Sequence, residues 1–364
     1  MNEPIRVAHI MGKMLGGGVE AMVMNYYRHI NREKVQFDFI VDEDSTIVPQ
    51  EEIENLGGAV YTIPPYQKSR AYHKALVKLF SEKNYSIVHS HINTLSVFPL
   101  YAAKRAGVPV RIAHSHSTAG KGELKRNILK YTLRPFSKRY PTHFFACSKY
   151  AGRWLFGKKA NFAVVKNAID ISNFQFCKQV RQTMRNELGI ENKFVVGHAG
   201  RFTKQKNHSF LLDIFHEVFK QNPNAILLLI GEGELEQDVR KKIAYLNLSD
   251  NVQLLGVRGD VAKLMQAMDV FLLPSLYEGL PVVGVEAQMA GISVVASDVI
   301  TQEVKLSENF IFLPLEMPAS NWAENILSLD LTAREDASKK ALASGYDIRT
   351  AAEELCRLYE RCLG

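Results

Sequence analysis

Short apolar runs recur along the first half of the chain: IRVAHIM (5–11), QFDFIV (36–41), AVYTI (59–63), SIVHS (86–90), VRIAHS (110–115), HFFACS (143–148) and FAVVKN (162–167). Between several of them, apolar positions fall at helical spacing, as in VEAMVMNYYRHI (19–30) and SRAYHKALVKLFSEK (69–83). Strands alternating with helices predict a parallel sheet covered by helices. A second series starts near residue 194. It runs FVVGHAG, a helix (208–220), AILLLIGEG, a helix (234–246), NVQLLG, the short helix VAKLMQAM, VFLLPS, ISVVASD and NFIFLPL. The polar segment at 174–193 contains RQTMRNELGI, which reads as a connecting helix. The fold class is therefore α/β, with two doubly wound domains. Facing each other, such domains would leave a ligand cleft at the C-terminal ends of their strands.

A length of 364 residues agrees with two domains. No run of 18 apolar residues predicts a membrane span, and MNEPIRVAHIM lacks the layout of a signal peptide. Cys147, Cys177, Cys356 and Cys362 form no CxxC pair, which fits a reduced cytoplasm and indicates neither a disulfide frame nor a zinc site. Charge changes the picture more. Residues 1–175 hold 25 Lys and Arg against 13 acids, while the remainder holds 20 against 25. A basic first half invites an anionic partner: nucleic acid, anionic lipid or a phosphorylated substrate.

The stretch PSLYEGLPVVGVEAQMAG (274–291) is apolar and small, yet carries Glu278 and Glu286. Pro281 suits the first helical position and Gly291 the residue past the helix end, so a helix is expected over about 281–290. Its N-terminus would sit at the sheet's C-terminal edge, where free N–H groups and the dipole attract phosphate. Glu278 would precede the helix, with Glu286 roughly 7 Å further along its axis. Carboxylates accept hydrogen bonds from sugar hydroxyls. Two acids flanking a phosphate site suit two sugars flanking a diphosphate. The plain alternative is a helix cap and an ordinary ion pair. In GHAGRFTKQKNHSFLLDIF (197–215), Arg201 and Lys206 stand between a strand ending at Gly200 and a helix opening near Asn207, an N-cap residue type. Two cations there make a phosphate clamp, or else surface salt bridges.

With these residues the chain resembles a retaining glycosyltransferase of family 4, of the GT-B architecture of two Rossmann-like domains. It is most similar to EpsF-type exopolysaccharide and capsule transferases. The resemblance rests on E-x7-E at Glu278 and Glu286, on Gly200, Arg201 and Lys206, on GEGEL (231–235), on NAID (167–170) and on GYDI (345–348). It spans nearly the whole chain. It implies an acceptor domain over 1–175, a nucleotide-sugar donor domain over 176–345, and a last helix, 346–364, returning to the first domain. It gives Glu278 the donor-sugar hydroxyls and Glu286 the ribose. Arg201 and Lys206 would hold the diphosphate with the N–H groups of Gly279 and Leu280. Gly200 belongs to this donor-binding set, and Arg258 lies near the expected base site.

HIMGKMLGGGVEAM places Gly16, Gly17 and Gly18 between a strand and a helix, where a ligand can approach the backbone closely. The spacing is neither a dinucleotide fingerprint nor a P-loop. The resemblance makes it the family's glycine loop. It also puts one histidine near the donor's anomeric carbon. His116 fits that role, with His114 as the alternative, and His89 and His91 read as structural or at the cleft floor. No metal-ligand pattern ties these four together. Asp42-Glu43-Asp44 is literally D-x-D, the mark of metal-dependent GT-A enzymes, but it comes too early and reads as a solvated strand end. No metal and no other cofactor is expected, the co-substrate being a nucleotide sugar with UDP as the expected nucleotide. A front-face route is implied, in which positioning and charge stabilisation carry the rate.

Residues 120–139 hold seven Lys and Arg and one acid, with Leu124, Ile128, Leu129 and Phe136 as a possible apolar face. A basic amphipathic helix reads as membrane-surface binding, or as a solvated helix over the core. The first reading suits a lipid-diphosphate-linked glycan acceptor and a peripheral place at the inner face of the cell membrane. No nucleic-acid motif accompanies the charge. Other readings are a UDP-sugar 2-epimerase or phosphorylase of the same fold, and a catalytically silent nucleotide-sugar-binding subunit.

Overall fold

The structure, a computed structural model, describes residues 3–117, 124–331, 334 and 336–364. It contains two compact units. The first runs to Ile169 and includes Gly345–Gly364, and the second is Asp170–Ser344. The joint expected at 175 thus falls at Ile169/Asp170. The reason is local: Asp170 caps the short helix Ile171–Phe174, which packs on two helices of the second unit, Val261–Ala267 and Val282–Met289.

The first unit is a seven-stranded parallel sheet made of β1 (Ile5–Gly12), β2 (Val35–Asp42), β3 (Val60–Ile63), β4 (Ile87–Ser90), β5 (Val110–Ser115), β6 (His143–Ala146) and β7 (Ala163–Val164). Its order is β3-β2-β1-β4-β5-β6-β7, so the winding reverses between β1 and β4. All eight residues of β2 are buried, the signature of a strand covered on both faces. One face packs against the helix Gly18–His29 and the C-terminal helix Ile348–Leu363, through Tyr26, Tyr27, Leu355 and Tyr359. The other lies under helices that contribute Tyr72, Leu76, Phe80, Leu100 and Leu155. An isolated bridge, Ile169 to Asp347, brings the C-terminal segment onto this unit.

The second unit is a six-stranded parallel sheet of β8 (Phe194–Ala199), β9 (Ala225–Ile230), β10 (Val252–Leu254), β11 (Val270–Leu273), β12 (Ser293–Ser297) and β13 (Phe310–Leu313). Its order, β10-β9-β8-β11-β12-β13, reverses between β8 and β11. The core on one face gathers Leu211, Phe215, Leu227, Val270 and Trp322. Among the described residues, no helix is long and apolar enough to cross a membrane.

Candidate functional site

In a doubly wound sheet, the loops that follow the two strands at the reversal diverge and open a crevice. In the second unit these are the loops after β8 and β11, which carry Gly200–Asn207 and Pro274–Pro281. They are tied together by their backbones: Leu276 N–H donates to Gln205 O at 2.8 Å, and Asn207 Nδ2 donates to Pro274 O at 3.1 Å. Asn207 does stand at the N-cap of His208–Gln221. It holds a left-handed backbone (φ 57°), however, and its side chain braces the facing loop instead of capping the helix.

Glu278 is the centre of this junction. Its carboxylate is 8 % exposed, and Lys206 Nζ donates to it at 2.6 Å. Gln205 Nε2 donates at 2.9 Å and Ser275 Oγ at 2.9 Å. Lys206, expected to face a diphosphate, therefore spends its charge on Glu278 in this state. Gln205 and Ser275 are the partners that sequence reading missed, although both stand in the two stretches it singled out. Arg201 is exposed, and its side chain has no partner among the described residues. The N–H groups of Gly279 and Leu280 likewise meet no acceptor among the described residues. They precede Val282–Met289, the helix expected over 281–290, with Pro281 at its N-cap and Gly291 past its end at φ 68°.

Glu286 lies in that helix, partly buried, and no hydrogen bond reaches its carboxylate among the described residues. Burial pushes its pKa up to about 7, and the positive charge of Lys206 works in the opposite direction. An unpaired carboxylate of this kind is costly unless a ligand satisfies it.

The GEGEL turn buttresses the Arg201 loop from the β9 side. Phe202 N–H donates to Glu232 O at 2.9 Å, and Leu235 N–H donates to Phe202 O at 3.0 Å. A Cβ on Gly231 would stand 2.3 Å from Gly200 O, and one on Gly233 would stand 2.5 Å from Phe202 O. Gly200 itself lies against Lys206, whose Cε would be 3.0 Å from an added Cβ. Arg258 stands beside this turn, after β10, but its guanidinium forms a two-point pair with Asp260, at 2.8 and 2.7 Å.

In the first unit, Gly16, Gly17 and Gly18 join β1 to the helix Gly18–His29, with Gly16 at φ 75°. The Glu20 carboxylate folds back onto the N–H groups of Gly17 and of Leu15, the latter at 2.9 Å. A side chain thus occupies the anion position that the glycine loop offers. Asp42 departs from expectation. It is buried, not solvated, and burial pushes its pKa up to about 6. Glu43 and Asp44 are exposed and pair with Lys68 and Lys13. Of the basic segment, residues 120–123 lie outside the described residues. Ile128 is 65 % exposed and Phe136 49 %, with Leu129 also exposed, so these three face solvent rather than the core.

The histidines require a correction. His89, His91, His114 and His116 are not unconnected. With His9, which sequence reading did not single out, they form a buried group on β1, β4, β5 and the residues just past them. Pairing of His9 with His89, and of Ser90 with Ala113, puts His9, the pair His89/His91 and the pair His114/His116 side by side. Two trios, His9–His89–His91 and His91–His114–His116, offer ring nitrogens within 4.8 Å of one another. His116 and His114 are both in the group. The backbone N–H of His116 also donates to Asn93 Oδ1 at 2.8 Å.

Comparison with known proteins gives two family matches. The Glycosyltransferase Family 4 model covers residues 16–173, and the Glycosyl transferases group 1 model covers 180–314. The chain is 34% identical to the putative glycosyltransferase EpsF of Bacillus subtilis, over 97% of this chain and 96% of that one. It is 25% identical to the UDP-Gal:alpha-D-GlcNAc-diphosphoundecaprenol alpha-1,3-galactosyltransferase of Escherichia coli, over 81% of this chain and 80% of the other. The crystal structure of Anabaena HepE in complex with UDP and glucose superposes with a TM-score of 0.80 at 21% identity, covering 98% of this chain and 99% of that one, and so shares its fold.

Proposed function

The chain belongs to the family 4, group 1 glycosyltransferases of GT-B fold, and from that premise we propose that it transfers a hexose from UDP to a lipid-diphosphate-linked glycan, with retention and without a metal. The product would enter an exopolysaccharide or capsule. The observation that carries this reading is the set at the β8/β11 reversal. Glu278 is locked to Lys206, while Arg201, two N–H groups and Glu286 have no partner among the described residues. Such a set offers positive charge and N–H donors to a diphosphate, and carboxylates to the hydroxyls on either side of it.

On this reading Arg201 and Lys206 neutralise the departing UDP, so charge stabilisation lowers the barrier as the glycosidic bond breaks. Glu278 accepts from the donor sugar and Glu286 from the ribose. His116 meets the sugar near its anomeric carbon. The leaving phosphate takes the acceptor's proton on the same face, which returns the original configuration. The E. coli relative, whose name specifies UDP-Gal and a diphosphoundecaprenol-linked sugar, supports the nucleotide and the lipid acceptor. The exposed Ile128, Leu129 and Phe136, in a basic segment, support peripheral contact with an anionic membrane on the cytoplasmic side.

The test is transfer from a panel of UDP-hexoses to a synthetic GlcNAc-diphospho-lipid in EDTA, with the anomeric configuration of the product read by NMR. The expected product keeps the donor's configuration. Inversion, an absolute need for Mg²⁺ or Mn²⁺, or conversion of the UDP-sugar without acceptor would each contradict the proposal.

A further inference from the structure

Five imidazoles, each no more than 6 % exposed, lie beneath the C-terminal helix in two hydrogen-bonded rows. In the first row, His9 Nδ1 faces His91 Nε2 at 2.9 Å, and His91 Nδ1 faces His116 Nε2 at 2.9 Å. In the second, the Tyr359 hydroxyl faces His89 Nδ1 at 2.7 Å, and His89 Nε2 faces His114 Nδ1 at 3.0 Å. The surroundings are aromatic. The His9 ring centre is 4.0 Å from that of Phe37, and Phe145 and Tyr359 stand edge-on to His89.

The geometry chooses between a metal and a proton in the first row. The ring centres of His9 and His91 are 5.1 Å apart with planes only 10° from parallel. Those of His91 and His116 are also 5.1 Å apart, at 34°. With nitrogens at 2.9 Å, the rings meet edge to edge and nearly in line. A metal ion needs lone pairs converging on a point between longer nitrogen separations, and a buried divalent charge needs compensation. No acid is paired with these rings among the described residues. The space between each pair holds one proton.

Burial holds all three rings neutral: His9 and His116 are pushed down to about 3, and His91 well below its ordinary value, where burial is joined by the neighbouring histidines. Three neutral rings carry three N–H groups, and the row uses two. The third must lie at an end, on Nδ1 of His116 or Nε2 of His9. Both atoms are buried and neither has a partner among the described residues. The row therefore has two tautomeric states that exchange only if all three rings change together.

We infer that His9, His91 and His116 act as one tautomer relay, in which His9 and His91 are positioning residues that decide which nitrogen of His116 bears its proton during sugar transfer. This rests on the reading of His116 as the residue at the donor sugar. A substrate atom that accepts at His116 Nδ1 favours the state with the third N–H at that end, and one that donates favours the state with it on His9. In each exchange one proton leaves the row to water at one end, the two bridging protons shift toward that end, and water supplies one proton at the other.

The wild-type protein tests the row directly, by ¹⁵N NMR of labelled histidine. Scalar couplings across both N–H···N bonds are expected, and their absence overturns the relay. One equivalent of tightly held metal by elemental analysis also overturns it, since an ion would replace the protons. His9→Phe removes the far end of the row without touching His116, and a phenyl ring suits a site between Phe37 and Phe39. It should shift the ¹⁵N resonances of His116 and lower kcat for UDP release from UDP-galactose or UDP-glucose by roughly tenfold or more, with KM within twofold. His9→Gln, smaller and polar, serves as a second variant with the same expected readouts. Unchanged kcat in both, alongside a crippled His116→Ala, removes the positioning role. An unimpaired His116→Ala instead overturns the reading of His116 while the NMR couplings stand.

Discussion

Lys206→Ala tests both the stability and the chemistry of the β8/β11 junction. At an effective dielectric of 20, charges 2.6 Å apart attract by about 6 kcal/mol, much of which offsets the loss of water around two mostly buried groups. Removing one partner of such a pair costs roughly 3–5 kcal/mol because the other charge is stranded. Glu278 keeps its hydrogen bonds from Gln205 and Ser275, so the lower end, about 3 kcal/mol, is expected. A unit the size of Asp170–Ser344 shifts its melting point by roughly 2–4 °C per kcal/mol, giving about 6–12 °C. Scanning calorimetry should show this loss in one unit's transition, with the other unit's unmoved. Glu278→Gln keeps one acceptor oxygen, for Ser275, and leaves no buried carboxylate stranded, so it should melt closer to wild type. The double variant Lys206→Met/Glu278→Leu should recover most of the stability with no turnover. A Lys206→Ala protein that melts within about 1 °C of wild type would refute the reasoning, because a stranded buried carboxylate cannot be neutral to folding.

Other consequences follow from the same structure. The raised pKa of Glu286 means the folded state holds a proton that the unfolded state has lost, so its contribution to stability is full below about 4.5 and disappears as pH rises through about 7. Glu286→Gln should flatten that part of the melting-point profile, and UDP should bind wild type more tightly from pH 6 to 8 as the carboxylate ionises. The buried histidines have the opposite sign: their contribution is full above about 6.5 and falls as pH drops toward about 3, so tyrosine fluorescence should report acid unfolding of the first unit beginning below pH 6.5. Gly231→Ala should abolish turnover and lower stability, since its Cβ would press on Gly200 O and its φ of 127° disfavours side chains, whereas Gly259→Ala, which meets nothing within 4 Å, should not. Ile128→Glu with Phe136→Glu should abolish sedimentation with phosphatidylglycerol vesicles while leaving UDP binding unchanged.

Much of the fold was legible because the strands are buried on both faces. Runs such as AILLLI and VFLL admit little else between turn residues, and their order predicts parallel pairing. The candidate site was legible because its residues are close in sequence: Glu278, Glu286, Arg201 and Lys206 sit in two loop-to-helix junctions at set spacing. What sequence did not disclose depends on neighbours distant in the chain. Nothing in GRFTKQK announces that Lys206 will be held by Glu278, 72 residues away. His9 is invisible as a partner of His91 until β1 and β4 are adjacent in the sheet. The Glu20 carboxylate in the glycine loop could have been found, because a glutamate at the third helical position commonly reaches back to the cap N–H. Asp42 was misread because a strand end was equated with solvent.

The central claim is that Glu286, Arg201 and the β8/β11 loops hold a uridine diphosphate without metal. Calorimetric titration with UDP, GDP and ADP in EDTA, on wild type and Glu286→Ala, tests it most directly. The wild-type protein should give measurable heat with UDP, and the variant should lose it. No binding of UDP by the wild-type protein, or equal binding by the variant, would contradict it.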